Sequence, residues 1–287
     1  MAQDKPKLRS LTDIYSFLSA NRTPIYFVTP VPFNLLGLDQ WVGGLEYITY
    51  FDSFDGYHPR CFTPQETGPR EFRSMEEVGN YLLSHKEVVD HIRKRGKTGK
   101  VMFIMFDEES ERLVKELGLE MALPPAKLRV HIDSKIVTTR LGNEAGVASA
   151  PYTMGRADSF GELMVLAEGA KLGRDLVVQT PYGDSGRTTF FIKTRDDWDK
   201  FAVKMKGEEL KVMKRINHLP GTVEGCATRH GRLVGRVMTD ITGFAEVTPY
   251  KGGWCGNDIT PDILPKKVQD KVPEMVKKVG DRLWQGG

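Results

Sequence analysis

Val177-Val178-Gln179-Thr180-Pro181-Tyr182-Gly183-Asp184-Ser185-Gly186-Arg187-Thr188-Thr189-Phe190 is the stretch on which the reading of this chain turns. Apolar and β-branched residues lead in and out of it, so 175–180 and 188–193 read as strands around the turn PYGDSGR. A P-loop or dinucleotide fingerprint needs its glycines between a strand and a helix, where the helix N-terminus faces the phosphates. Here strands are expected on both sides. A glycine-rich hairpin tip can still cradle phosphate, because Gly183 and Gly186 allow close backbone approach and Ser185, Thr188 and Thr189 offer hydroxyls. Taken alone, the pattern favours an ordinary hairpin turn. Its Gly-Asp-Ser-Gly also matches the nucleophile region of a chymotrypsin-like protease, but such domains are disulfide-bonded and all-β, and no G-x-S-x-G elbow is present.

Working outward, a helix is expected up to Asn21 (Leu11, Ile14, Tyr15, Leu18), then a buried strand at 25–28, a short helix at 34–41 and a strand at 47–51. Residues 54–72 read as a long surface loop, and Ser74 with Glu77 forms a capping box for one helix carrying Val78, Leu82, Val88 and Ile92. A strand at 101–106 and a helix opening on Asp107 complete an alternation that argues an open, mainly parallel sheet. After Pro124 and Pro125 the character changes. Residues 133–145 read as a helix, and Ser159 with Glu162 caps another. Beyond the hairpin, Thr194 with Asp197 begins a helix, 210–216 is a strand, and 222–228 with 233–239 form a second hairpin. Val268, Val272, Val276, Val279 and Leu283 make a helical stripe interrupted by Pro273.

The 287 residues suggest about two domains. At 40% apolar and 28% charged, with no run of ~20 apolar residues, the chain belongs to neither disordered nor membrane classes, and a cytoplasmic location is expected. A net charge of +3 does not imply a polyanion partner, and Arg93, Lys94, Arg95, Lys97 and Lys100 read as a solvated helix end rather than a nucleic-acid patch. Cys61, Cys226 and Cys255 form no CxxC, and the six histidines show no metal-ligand spacing. The loop around Asp55, His58 and Arg60 gathers an acid, a ring and a cation, and is a candidate acceptor site.

In order, these pieces resemble an ATP-grasp protein of the biotin carboxylase and carbamoyl-phosphate synthase type. Asp133-Ser134-Lys135, a helix, and Glu144-Ala145-Gly146-Val147-Ala148-Ser149-Ala150-Pro151 are similar to the family's D-K segment, helix, A-G-V and proline. The glycine-rich hairpin resembles its lid, and Val212-Met213-Lys214-Arg215-Ile216 its adenine-reading hinge. The resemblance implies an α/β chain: an N-terminal helical extension (1–23), an open-sheet pre-ATP-grasp domain (24–130), and an ATP-grasp domain (131–287) with an antiparallel lid subdomain at 175–216, incomplete at its C-terminus.

It further implies that Lys135 contacts the ATP phosphates, that Gly183, Asp184, Ser185 and Gly186 close over them, that Met213, Lys214, Arg215 and Ile216 hold adenine, and that Glu224 lies near the ribose. Two departures stand out. Where the family usually carries a second phosphate-binding lysine, this chain has Gln179, which can hydrogen-bond a phosphate but not neutralise it unless Arg187 substitutes. The family's magnesium-binding acids, a Glu and then Glu-x-Asn, are expected beyond Gly287, so no Mg²⁺ ligand is assigned here. The implied activity is ATP-dependent ligation, in which a carboxylate or bicarbonate becomes an acyl phosphate and is captured by an amine-type nucleophile. The alternatives are a non-catalytic nucleotide-binding or scaffold protein, or a two-domain protein whose hairpin is only structural. Partners would be small molecules, with neither nucleic acid nor membrane, and oligomeric state is left open, a homodimer among the options.

Overall fold

The computed structural model describes residues 8–65, 70–96, 98–183, 186–260 and 264–286, and the chain divides into two compact units, Met1–Val130 and His131–Gly287. In the first, α1 (Leu11–Ser19) precedes a sheet of β1 (Ile25–Thr29), β2 (Leu45–Thr49), β3 (Cys61–Phe62), β4 (Lys100–Phe103) and β5 (Glu120–Met121). The order is β3-β2-β1-β4-β5 and every pairing is parallel. Strands covered on both faces read as continuous apolar runs, and all five residues of β2 are buried. Tyr26, Val28, Ile48, Val101 and Phe103 share one core with residues of α2 (Met75–Ser84), α3 (Lys86–Lys94) and α4 (Glu108–Glu116). Phe27, Leu45 and Tyr47 gather Leu35, Leu38 and Val42 on the other side.

Four expectations for this unit are corrected. The single helix from Ser74 to Ile92 is two, because His85 leaves helical geometry (φ −70°, ψ 129°) and caps α3, its Nδ1 accepting from Glu87 N at 3.2 Å. The short helix at 34–41 is a pair of 3₁₀ turns, Pro32–Leu35 and Leu38–Gln40, separated by Gly37 at φ +89°. The loop from 54 to 72 contains β3, too short to leave a periodic signal. The cap at Ser74 forms with Glu77 N, but the Glu77 carboxylate accepts from Arg73 N instead of closing the box. The basic cluster is partly paired, Arg95 with Glu46 and Lys100 with Glu120; Lys97 lies outside the described residues.

α5 (Ala126–Asp133) spans the division, and the second unit continues with α6 (Lys135–Glu144), β6 (Tyr152–Gly155), α7 (Phe160–Gly169), β7 (Leu176–Gln179), β8 (Thr189–Ile192), α8 (Arg195–Met205) and β9 (Leu210–Lys214). These strands form an antiparallel sheet in the order β6-β9-β7-β8. Thr194 and Asp197 close a full capping box on α8. Leu163, Ala167, Trp198, Ala202 and Met205 from α7 and α8 bury one face of this sheet. The chain then builds β10 (Gly221–Thr228), β11 (Gly231–Thr242) and β12 (Trp254–Asp258) into a second antiparallel sheet, against whose first two strands α9 (Lys266–Gly286) lies. Val272, Val276, Val279 and Leu283 of α9 line an apolar cleft of ≈ 420 Å³ with Val223 and Leu233. Arg282 ties α9 to Glu144 of α6. No helix among the described residues is long and apolar enough to cross a membrane.

Candidate functional site

Strand register sorts the side chains of the four-stranded sheet. Leu176, Val178, Phe190, Ile192, Leu210 and Val212 are buried beneath α7 and α8. Because successive side chains alternate between faces, the residues between them point the other way. Pairing places Tyr152, Met213, Val177 and Phe191 in one cross-strand row, and Met154, Lys211, Gln179 and Thr189 in the next. All eight are half-buried. The sheet thus has one sealed face and one partly open face floored by two rings and a patch of polar groups.

Cations border that floor. Lys211 Nζ lies 5.8 Å from the centre of the Tyr152 ring, and Arg215 and Lys251 lie 5.5 and 4.9 Å over Phe191. Burial, and next the neighbouring charge of Lys135, push the Lys211 ammonium below the ordinary lysine range. Gln179, in register with Lys211, has its amide oriented by a hydrogen bond from Nε2 to Thr189 Oγ1 at 3.0 Å. Lys135 is the first residue of α6, whose cap Ser134 is itself buried. Its backbone N–H donates to Pro181 O at 2.8 Å and its ammonium to Gly183 O, so the start of α6 is stitched to the hairpin tip.

The hairpin is shaped by glycine where backbone geometry demands it. Gly183 has φ +124° and Gly186 φ +80°, and a Cβ on Gly186 would stand 2.8 Å from backbone atoms of Gly252 and Gly253. The tip therefore lies directly on the loop before β12. Arg187 is exposed and lines a cleft with Lys200, Lys204, Tyr250 and Lys251. Asp184 and Ser185 fall outside the described residues. Met213 and Lys214 end β9, and the ladder is prolonged by Lys214 N to Pro151 O and Arg215 N to Asp175 O, at 3.0 and 2.9 Å. Ile216 is exposed, and its carbonyl meets His218 Nδ1 at 3.1 Å. Glu224 stands exposed at a register shift in β10, in the other sheet of this unit. The structure thus draws Lys135, Gln179, Gly183, Met213 and Arg215 to the same sheet.

Lys211, Tyr152, Phe191 and Lys251 were not foreseen as site residues, whereas the Thr189 hydroxyl was. For Lys211 a signal existed: the alternation Leu210-Lys211-Val212-Met213 assigns 211 and 213 to the face opposite the core.

In the first unit, His58 and Arg60 converge on Asp39, a residue the sequence reading passed over. Arg60 Nη1 donates to Asp39 O at 3.0 Å, His58 Nε2 is 4.0 Å from the Asp39 carboxylate, and the Tyr47 hydroxyl donates to Asp39 Oδ1 at 2.8 Å. Burial, and secondarily the Asp39 hydrogen bond, push the Tyr47 phenol up to about 12. Asp55 stays exposed at φ +50° in the adjoining turn.

No protein-family model matches the chain, and no curated protein matches it in sequence. Solved structures do. A carboxyaminoimidazole ribonucleotide synthase from Aspergillus clavatus, complexed with ATP, aligns with a TM-score of 0.58 at 13% identity over 91% of this chain. The fold is ATP-grasp. A Bacillus licheniformis L-amino acid ligase shares the ATP-grasp likeness over 91% of this chain (TM-score 0.55, 13% identity), and a Vibrio cholerae D-alanyl-alanine synthetase A over 66% (TM-score 0.51, 10% identity). This chain spans 63% of the length of the first of these proteins and 60% of the length of each of the other two.

Proposed function

We propose that the second unit binds ATP on the open face of its four-stranded sheet and that the chain serves an ATP-dependent ligase. In this reading a carboxylate or bicarbonate is activated as an acyl phosphate and captured by an amine-type nucleophile. The observation that carries it is the juxtaposition, on one half-buried sheet face, of aromatic and apolar side chains with several cations and oriented polar groups. A nucleotide needs just this pairing, since its base gains from apolar and ring contacts while its phosphates need charge and oriented donors. Further support comes from solved structures of the same fold complexed with ATP or ADP.

Lys135 would meet the phosphates from the start of α6, exchanging its present contact with Gly183 O for a charged oxygen. The hairpin residues Gly183–Gly186 would cover them, with Arg187 at the tip. Met213 would support the base, and the backbone of Lys214, Arg215 and Ile216 would read its edge, with Glu224 toward the ribose. Phosphoryl transfer asks little covalent chemistry of a protein, so the work of these groups is positioning and charge stabilisation. Among the described residues no group of three or more Asp, Glu, His or Cys side chains is disposed to hold a metal ion, and no step is assigned to one.

Calorimetric titration of ATP into the chain and its Lys135→Ala variant tests the reading. Lys135→Ala should weaken binding about tenfold, the value of one charge-assisted contact. Equal or absent binding in both would sink the assignment. ADP formation in the presence of Mg²⁺, carboxylates and amines separates a ligase from a module that only binds the nucleotide.

A further inference from the structure

Lys211 is a half-buried lysine on the open face with no carboxylate paired to it among the described residues. That is a costly arrangement for a strand. An ammonium loses hydration on burial, and here a second ammonium, Lys135, adds repulsion instead of relief. The flanking groups give no negative charge either: Met154 and Gln179 stand on the adjacent strands in register with Lys211, and Tyr152 offers only its ring. Gln179 and Thr189 satisfy each other, leaving the lysine to face the open side.

We propose that Lys211 and Lys135 act together as a two-point anion clamp, with Gln179 between them as an uncharged hydrogen-bonding partner. The anion is a chain of phosphoryl groups. The sheet thereby holds on β9 the positive charge absent from the neighbouring position 179 of β7. Direct cross-strand neighbours have Cβ atoms about 4.5–5.5 Å apart, so a lysine at 211 can reach the same phosphate oxygens that a lysine at 179 would reach. Lys211 is in this sense a binding residue for the anion. The identity of the anion as the phosphates of ATP rests on the nucleotide reading above; the clamp itself rests on the geometry of β6, β7, β9 and α6.

The test titrates inorganic tripolyphosphate, ATP and adenosine separately into the full chain and into Lys211→Met and Lys211→Arg, with circular dichroism confirming the fold of each. Met keeps an unbranched apolar stem of nearly the same length and removes the ammonium, with its charge and its N–H donors. Tripolyphosphate binding should fall about tenfold in Lys211→Met and recover to within about threefold of the parent in Lys211→Arg. Adenosine binding should be unchanged. A second readout is acetylation of Lys211 followed by peptide mass spectrometry, where tripolyphosphate should slow labelling severalfold. If Lys211→Met binds tripolyphosphate and ATP as the parent does, the clamp is refuted while the nucleotide reading stands. If tripolyphosphate binds in a Lys211-dependent way but ATP gains nothing over it and adenosine does not bind, the clamp stands and the nucleotide reading fails. If the parent chain binds none of the three, both fail.

Discussion

Gly186 and Gly207 offer a matched pair for measuring how firmly the hairpin rests on its neighbour. Both adopt φ +80°, but a Cβ on Gly207 would meet nothing within 4 Å, whereas one on Gly186 would meet the backbone of Gly252 and Gly253 at 2.8 Å. Placing a side chain in the left-handed region costs about 1–2 kcal/mol, and Gly207→Ala should cost that amount and no more. Gly186→Ala bears the same strain plus the displacement of two backbone segments, which at the usual cost of overpacking adds about 1–3 kcal/mol. The difference between the two substitutions therefore isolates the docking of the tip. Urea unfolding of the full chain, followed by tryptophan fluorescence with buried Trp198 as reporter, measures global stability. Hydrogen exchange of the β8 amides captures any part of the cost expressed as local opening. Gly186→Ala should exceed Gly207→Ala by more than 1 kcal/mol on one of the two scales. Equal costs on both would show that the tip does not rest on residues 252–253 in solution, and the closed description of the hairpin would be wrong.

Other substitutions probe the framework. Leu163→Ala, at a fully buried position of α7, should destabilise the second unit by about 3 kcal/mol in denaturant titration. Tyr47→Phe removes a hydroxyl whose single O–H has Asp39 Oδ1 and Leu35 O within hydrogen-bond reach, and should cost the first unit about 1–2 kcal/mol. The Asp107 carboxyl is subject to burial, which alone would raise its pKa, but hydrogen bonds from Ser110 and Asn80 outweigh burial and hold it below the usual 3.8. With the folded value depressed, its stabilising contribution is full above the unfolded pKa and fades as pH falls through the folded one. Asp107→Asn should accordingly flatten the acid limb of a stability–pH profile below about pH 4. His85→Ala removes the cap that separates α2 from α3 and should cost about 1 kcal/mol, read by thermal unfolding.

The parallel sheet was legible in the sequence because its strands are covered on both faces, so Ile25–Val28 appears as an unbroken apolar run after Pro24; Leu45–Thr49 is equally buried, but Glu46 interrupts its apolar run and the expected strand lay two residues late, at 47–51. The helix starts at Ser74, Asp107, Ser159 and Thr194 were legible for a different reason: a capping side chain bonds a backbone N–H three residues on, and that interaction is local. What escaped was non-local. β3 and β5 are two residues long and exist only because a neighbour completes their ladders. β6 follows Pro151 directly, and β12 contains Gly256, Asn257 and Asp258, poor strand formers held by pairing to β11. The candidate site was half visible. Lys135 and the hairpin carried a motif, but Lys211 and Phe191 acquire meaning only once register sets them beside Gln179 and Val177. The helix break at His85 needed knowledge that an imidazole nitrogen would take the capping role, which helical spacing cannot convey.

The alternation along the four-stranded sheet has a consequence for how such a protein can change. On β7, β8 and β9 the even-numbered residues 176, 178, 190, 192, 210 and 212 hold the core, while the odd-numbered 177, 179, 189, 191, 211 and 213 face outward. Substitution at odd positions can revise what is bound while leaving the packing intact, so affinity and foldability are separately adjustable on the same three strands. Deleting a single residue within β9 removes that independence at a stroke. Downstream of the cut, core and outward positions exchange, presenting Val212 to solvent and driving Met213 inward. Sequence length between 210 and 214 is therefore expected to tolerate far less variation than sequence identity, a ranking that a deep insertion, deletion and substitution scan of this segment would reveal directly.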